Sequence, residues 1–113
     1  MASHVIHVEV LGKDARALQG FYGDVFGWSF DTDDPTGYGM FDGDGDGIGG
    51  GIGPSNDGGA GHVTFYVHTD DAAATLATVE ARGGRVLMPL TEVMPGTMIA
   101  LFADPEGHVV GLM

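Results

Sequence analysis

Hydrophobic and polar residues follow two different periods along the chain, and these periods predict the first elements. Residues 4–11 (HVIHVEVL) alternate and are rich in valine, which is typical of a β-strand. Residues 14–28 (DARALQGFYGDVFGW) change to helical spacing, with apolar side chains at Leu18, Phe21, Tyr22, Val25 and Phe26. We therefore expect an amphipathic helix that begins after an N-cap at Asp14 and ends at a C-cap at Gly27.

The order of elements then repeats. Three short strands are predicted at Trp28–Thr32, Gly37–Phe41 and Ile48–Ile52. A valine-rich strand (GHVTFYVH), a helix (DDAAATLATVEARGG) and three more strands (RVLMPL, GTMIALFA and HVVGLM) follow. The chain thus has the order β-α-β-β-β twice, with an offset of about 55 residues between the copies. We expect one domain over residues 1–113, with module one at about 1–55 and module two at about 56–113.

The acidic stretch DGDGDG, from Asp42 to Gly47, has the start of an EF-hand calcium loop. An EF-hand needs a bidentate glutamate at loop position 12, which is Gly53 here, and a helix on each side. The flanking residues have strand-like patterns instead. Since Asp-Gly pairs are favoured in hairpin turns, the interpretation that we prefer is a turn between two strands.

Composition excludes some classes of function. The net charge is −12 with only four Lys and Arg residues, so we expect no nucleic-acid partner. There is no cysteine and therefore no disulfide or thiolate chemistry. No apolar run is long enough to span a membrane and the N-terminus lacks a signal-peptide pattern, so a cytoplasmic location is expected. The acidity serves solubility or attracts cationic small molecules.

Candidate chemistry lies on the faces of the two valine-rich strands. Residues i and i+2 of a strand share a face, so His7 and Glu9 lie together on one strand and His62, Thr64 and Tyr66 on the other. His7 and His62 occupy equivalent positions in the two repeats. Imidazole is a frequent metal ligand, so this pair is a stronger signal than either histidine alone.

The motifs HVEV, FYGDVFGW, GHVTFYVHTDD, ARGGRV and FADPEGHVVGLM cover nearly the whole chain. Together they resemble the vicinal oxygen chelate superfamily, which includes glyoxalases, bleomycin-resistance proteins, methylmalonyl-CoA epimerase and extradiol dioxygenases. The resemblance implies an α+β fold in which paired βαβββ modules form a cup-shaped, mostly antiparallel sheet with outer helices. It also implies a small-molecule ligand and a homodimer.

The resemblance further implies a metal site, but only part of the ligand set is present. His7 and His62 match two metal-ligand positions of the superfamily. The glutamate expected on the last strand is replaced by Gly111, and the fourth strand (IGGGI) offers no ligand. Catalytic metal sites usually have three protein ligands. Glu9 is the candidate for a third ligand to Zn, Fe, Ni or Mn, or for a general base without metal.

Three functions therefore stay open. The first is a metal-dependent lyase, isomerase or dioxygenase that uses His7, His62 and Glu9. The second is a drug-sequestering, antibiotic-resistance protein without catalysis, since the absent glutamate at Gly111 would leave space for a ligand. The third is a metal-free enzyme with Glu9 or His62 as the base. Candidate substrate-binding side chains are Tyr66, Thr64, Trp28 and Met98, with core packing as the alternative for the last two.

Overall fold

The structure is a computed structural model that describes residues 2–113. These residues form two helices and seven strands, which confirms the mixed α+β class. In chain order the elements are β1 (Val5–Gly12), α1 (Ala15–Phe26), β2 (Gly39–Phe41), β3 (Gly50–Pro54), β4 (His62–Val67), α2 (Ala72–Ala81), β5 (Arg85–Met94), β6 (Thr97–Ala103) and β7 (Val109–Leu112).

The predicted caps of α1 are confirmed. The Asp14 side chain accepts a hydrogen bond from the backbone N–H of Ala17 at 3.0 Å, which satisfies one of the donors that a helix start leaves unpaired. At the other end Gly27 has φ of +74°, and its N–H donates to Gly23 O at 2.8 Å. A left-handed residue of this kind ends a helix at the lowest cost when it is glycine.

The apolar stripe predicted the buried face of α1 only in part. The helix packs on β3, but Phe21, Val25 and Phe26 are 59%, 53% and 58% exposed. The buried residue of the helix is the polar Gln19, which is 8% exposed. Its amide is satisfied by backbone carbonyls, so a polar group can occupy this position without an unpaired donor.

The chain divides into two compact units, and the first of these, the N-terminal unit, comprises Ile6–Thr64. Within it β1 runs parallel to β3, and β2 pairs antiparallel with β3. The acidic segment joins β2 to β3, which confirms the hairpin interpretation. Asp44 lies in this turn with φ of +50°, and its N–H donates to the Asp42 side chain at 2.9 Å.

The predicted strand at Trp28–Thr32 is absent from the described residues, where Asp31 makes one isolated bridge to Met40. The reason is local. The Asp31 side chain accepts a hydrogen bond from the backbone N–H of Asp33 at 3.1 Å, and this Asx turn bends the chain out of the extended conformation. The N-terminal copy of the repeat thus has one strand fewer than predicted.

The second unit, the C-terminal unit, comprises Phe65–Met113 together with the residues up to Val5. Here β4 runs parallel to β7, while β6 pairs antiparallel with both β7 and β5. Its core consists of Leu76, Ala100 and Leu112, with Val67, Val86 and Phe102 packed around them. The unit boundaries fall inside β1 and β4, and both the single domain and the module bounds near residue 55 stay predictions.

Candidate functional site

The N-terminal unit brings three polar side chains into contact on one face of β1. His7 and Glu9 lie two residues apart and are half-buried. The hydroxyl of Tyr38 lies between them, 3.0 Å from His7 Nε2 and 3.0 Å from Glu9 Oε2. The predicted pairing of His7 with Glu9 on one face is thus present, with a phenol hydroxyl joining the two side chains.

The direction of these hydrogen bonds follows from the single hydroxyl hydrogen of Tyr38. The hydroxyl donates that hydrogen to Glu9 Oε2. Its oxygen can therefore only accept at the contact with His7, and His7 Nε2 must be the donor. The three side chains thus form a hydrogen-bonded chain in which the imidazole donates to the phenol and the phenol donates to the carboxylate.

The pKa of His7 is lowered from its ordinary value of 6.5. Burial is the larger cause because it disfavours the charged imidazolium, and the negative charge of Glu9 opposes it by raising the pKa. The neutral imidazole is therefore favoured. A neutral ring that carries its hydrogen on Nε2 keeps the donor that Tyr38 requires.

Glycines of β3 make room for the Tyr38 ring. A β-carbon at Gly51 or at Gly53 would overlap the ring, and Gly51 is the register partner of Glu9 on β1. Tyr38 was not among the residues predicted from the sequence. Its signal was present in the Gly37-Tyr38-Gly39 triplet and in the glycines of IGGGI, because glycines in a strand often mark a close approach by another group.

His62 lies at the start of β4 and is exposed. It lines an open groove of about 530 Å³ in the N-terminal unit. The other residues of this groove are Val10, Leu11, Gly12, Lys13, Asp14, Ala17, Leu18, Phe21, Ala60 and Val63. His62 is thus placed among mainly apolar side chains at the first turn of α1, and its predicted role as a ligand stays a prediction.

The four predicted substrate-binding residues have different surroundings. Thr64 and Tyr66 are buried, at 4% exposure each, while Met98 on β6 is 42% exposed. Trp28 stacks on Phe41 with ring centroids 4.1 Å apart. For Trp28 this contact is the packing role that we named as its alternative, and a role of any of the four in substrate binding stays a prediction.

The space that we expected at Gly111 is filled. Gly111 is the register partner of Tyr66 in the β4–β7 pair, and a β-carbon at position 111 would overlap the Tyr66 ring. Gly51 on β3 and Gly111 on β7 therefore have the same local arrangement. In each, a tyrosine ring lies where the side chain of a larger residue would begin.

These residues do not fit a divalent metal as they are arranged. Within residues 2–113 no group of three or more His, Asp or Glu side chains is placed to hold a metal ion. The Nε2 atom of His7 and the Oε2 atom of Glu9 are both hydrogen-bonded to Tyr38 instead. A catalytic metal usually needs three protein ligands. Because the Tyr38 hydroxyl occupies both atoms, metal binding at His7 Nε2 and Glu9 Oε2 would also require Tyr38 to move.

The family of the chain is now clear. The chain belongs to the Glyoxalase/Bleomycin resistance protein/Dioxygenase superfamily, whose family model matches residues 4–112. This confirms the resemblance found from the motifs. Among curated proteins, it is 35% identical over 111 residues to the anthracycline biosynthesis protein DnrV of Streptomyces peucetius, covering 83% of this chain and 40% of DnrV.

Other comparisons agree. The chain is 28% identical over 113 residues to the provisionally named glyoxylase CFP32 of Mycobacterium tuberculosis, covering 93% of this chain and 43% of CFP32. It therefore spans less than half the length of these curated relatives.

Two solved structures show the same fold. A superfamily member from Vibrio splendidus matches with a TM-score of 0.67 at 17% identity, over 98% of this chain and 97% of that one. A Streptomyces coelicolor methylmalonyl-CoA epimerase variant in complex with 2-nitronate-propionyl-CoA matches with 0.66 at 19% identity, over 99% of this chain and 94% of that one. Separately, neither helix of residues 2–113 has the length and apolar character needed to cross a bilayer.

Proposed function

We propose that this protein is a metal-independent acid/base enzyme that moves a proton on a small carbonyl compound, with Glu9 as the general base. The observation that carries the proposal is the hydrogen-bonded chain His7–Tyr38–Glu9. Such a chain fixes the orientation of a carboxylate, which is what a general base needs.

The reaction is a balanced proton transfer. The Glu9 carboxylate takes a proton from a carbon next to a carbonyl, and the electron pair of that C–H bond moves to the carbonyl oxygen. Return of the proton to carbon restores the carbonyl and the carboxylate, and return to the opposite face gives epimerisation. Tyr38 and His7 orient Glu9 during both steps.

The relationship to DnrV supports the choice of substrate class. That protein is named for anthracycline biosynthesis, and 35% identity over 111 residues is enough to make a related small molecule the first substrate to test. Anthracyclines are aromatic polyketides, and the poly-β-ketone chains from which such compounds form carry acidic C–H groups between carbonyls. Aromatic ketones and 1,3-dicarbonyl compounds are therefore the substrates to screen.

We also propose that the protein is a homodimer. Apolar side chains of α1 are exposed in the single chain, and Phe21 and Phe26 are more than half accessible. Contiguous exposed apolar surface commonly marks a protein–protein interface. Light scattering coupled to gel filtration tests this, and a mass of one chain, 11.7 kDa, at micromolar concentration would contradict it.

Hydrogen exchange into substrate tests the enzymatic proposal without knowledge of the product. Candidate compounds are incubated with protein in D₂O containing a chelator, and loss of the C–H signal is followed by proton NMR. We expect exchange that falls about 100-fold or more in Glu9→Gln, in line with typical general-base contributions. Equal rates in both proteins, or no exchange with any compound, would overturn the proposal. Binding without exchange would favour the sequestering function instead.

A further inference from the structure

The polar side chain buried beneath α1 touches the loop that carries Tyr38. Gln19 Nε2 donates to Gly37 O at 3.0 Å and to Ile52 O at 2.8 Å. Gly37 directly precedes Tyr38, and Ile52 lies between the two glycines on which the Tyr38 ring rests. One amide group thus connects the backbone of the Tyr38 loop to the strand beneath the ring.

The surroundings of this amide leave it no other arrangement. Both acceptors are carbonyl oxygens, so both hydrogens of the NH₂ group are needed, and the opposite amide orientation would place oxygen against oxygen. A β-carbon at Gly39 would lie 2.7 Å from Gln19 Nε2. Gly37 has φ of +89°, a conformation that favours glycine. Both neighbours of Tyr38 are therefore fitted to the Gln19 side chain.

We propose that Gln19 is a positioning residue that sets the Tyr38 hydroxyl between His7 and Glu9. This inference rests on the proposed function for its catalytic consequence, although its structural part does not. Gln19 donates both of its amide hydrogens to backbone carbonyls. It acts through the backbone on each side of the ring. Its hydrogen bond to Gly37 O holds the residue before Tyr38, and its hydrogen bond to Ile52 O holds the strand that supports the ring.

The test replaces Gln19 by methionine, which keeps the length of the side chain and removes both donors. The measurement is the His7 ring by long-range ¹H–¹⁵N NMR across a pH titration, without substrate. In the wild type we expect the neutral ring with its hydrogen on Nε2 and a pKa below 6.5. In Gln19→Met we expect a mixture of tautomers, because the Tyr38 hydroxyl no longer accepts a hydrogen bond from Nε2, and a pKa that returns toward 6.5 as the ring becomes more exposed to water.

Two further variants separate positioning from a general loss of stability. Leu76→Val alters the core of the C-terminal unit and should leave the His7 titration unchanged. Gly39→Ala crowds the Gln19 amide from the other side and should reproduce the effect of Gln19→Met. If Gln19→Met does not fold, Gly39→Ala carries the test. A folded Gln19→Met or Gly39→Ala protein with the wild-type tautomer and pKa of His7 would overturn the inference.

The hydrogen-exchange assay distinguishes this inference from the proposed function. If exchange depends on Glu9, Gln19→Met should lower its rate at least tenfold, with a changed pH profile. A change in the His7 titration without any exchange in the wild type would retain the positioning role and reject the enzymatic function. Exchange that depends on Glu9 but is unaltered in Gln19→Met would retain the enzymatic function and reject the catalytic consequence of the positioning.

Discussion

The ring of Tyr38 lies directly on the backbone of Gly51, so closely that a β-carbon at position 51 would overlap it. Gly51 is also the register partner of Glu9, whose carboxylate accepts a hydrogen bond from the Tyr38 hydroxyl. Tyr38 can therefore donate to Glu9 only because position 51 has no side chain. A strand that offers no metal ligand instead supports a tyrosine.

Gly51→Ala is expected to displace Tyr38 from Glu9. The added methyl group overlaps the ring, and overpacking of this kind typically destabilises a protein by about 1–3 kcal/mol. Urea denaturation measures the change in the free energy of unfolding, and NMR of the His7 ring reports the lost contact. Gly20→Ala on α1 is the control for loss of a glycine, since nothing lies within 4 Å of its position and its φ is not in the left-handed region. An unchanged His7 signal in a stable Gly51→Ala protein would contradict the prediction.

Tyr38→Phe removes the hydroxyl and keeps the ring. The ring should still rest on Gly51 and Gly53, while the hydrogen bonds to His7 and Glu9 are lost. Because one of the two lost hydrogen bonds is to a carboxylate, we expect a loss of stability of about 1.5–3 kcal/mol. Tyr22→Phe is the matched control on α1. If Tyr38→Phe leaves both His7 tautomer and exchange activity unaltered, the hydroxyl has no role in orienting Glu9.

The stability of the protein should depend on pH through His7. Its folded pKa lies below the unfolded value of 6.5, mainly because of burial, so the unfolded chain binds more protons between the two values. The contribution is complete above pH 6.5 and is lost as the pH falls through the folded pKa. Urea midpoints at several pH values measure it. In His7→Gln this part of the pH dependence should disappear, and an identical pH dependence in the two proteins would contradict the assignment.

Metal analysis separates the proposed chemistry from the metal-dependent alternative. The described residues contain no suitable group of three ligand side chains, so we expect substoichiometric Zn, Fe, Ni and Mn in untagged protein by elemental mass spectrometry. Soaking the protein in these metals and then desalting it should not raise the metal content. About one ion per chain, lost in the His7→Ala/His62→Ala double variant, would mean that Tyr38 gives way to a metal. Substrate screening would then begin with lyase and dioxygenase chemistry.

Trp28 is expected to act mainly in packing. Its ring centroid lies 4.1 Å from that of Phe41 and 5.9 Å from that of Tyr22, within an aromatic cluster of the N-terminal unit. Aromatic pairs contribute about 0.5–1.5 kcal/mol beyond the area that they bury, so Trp28→Leu should destabilise the protein by at least that amount. Calorimetry measures the effect. A stable Trp28→Leu variant that no longer binds an exchange-competent compound would return Trp28 to the substrate-binding residues.

The periodicity of the sequence determined the class of elements and their order. Alternation predicted β1 and β4, and helical spacing with Asp14 and Gly27 predicted the bounds of α1, because capping depends on residues that are neighbours in the chain. The face of His7 and Glu9 followed from the two-residue period of a strand. The motifs also placed the chain in its superfamily, which the family match over residues 4–112 confirms.

Contacts between distant residues were decided by the tertiary structure alone. Tyr38 lies 29 residues from Glu9 and 31 from His7 along the chain, and no period in the sequence joins them. Gln19 belongs to a helix whose apolar stripe predicted a different buried face, and its burial depends on the carbonyls of Gly37 and Ile52. A local pattern records the preferences of neighbouring residues. Which glycine receives which ring, and which carbonyls a buried amide meets, depends on how the elements pack.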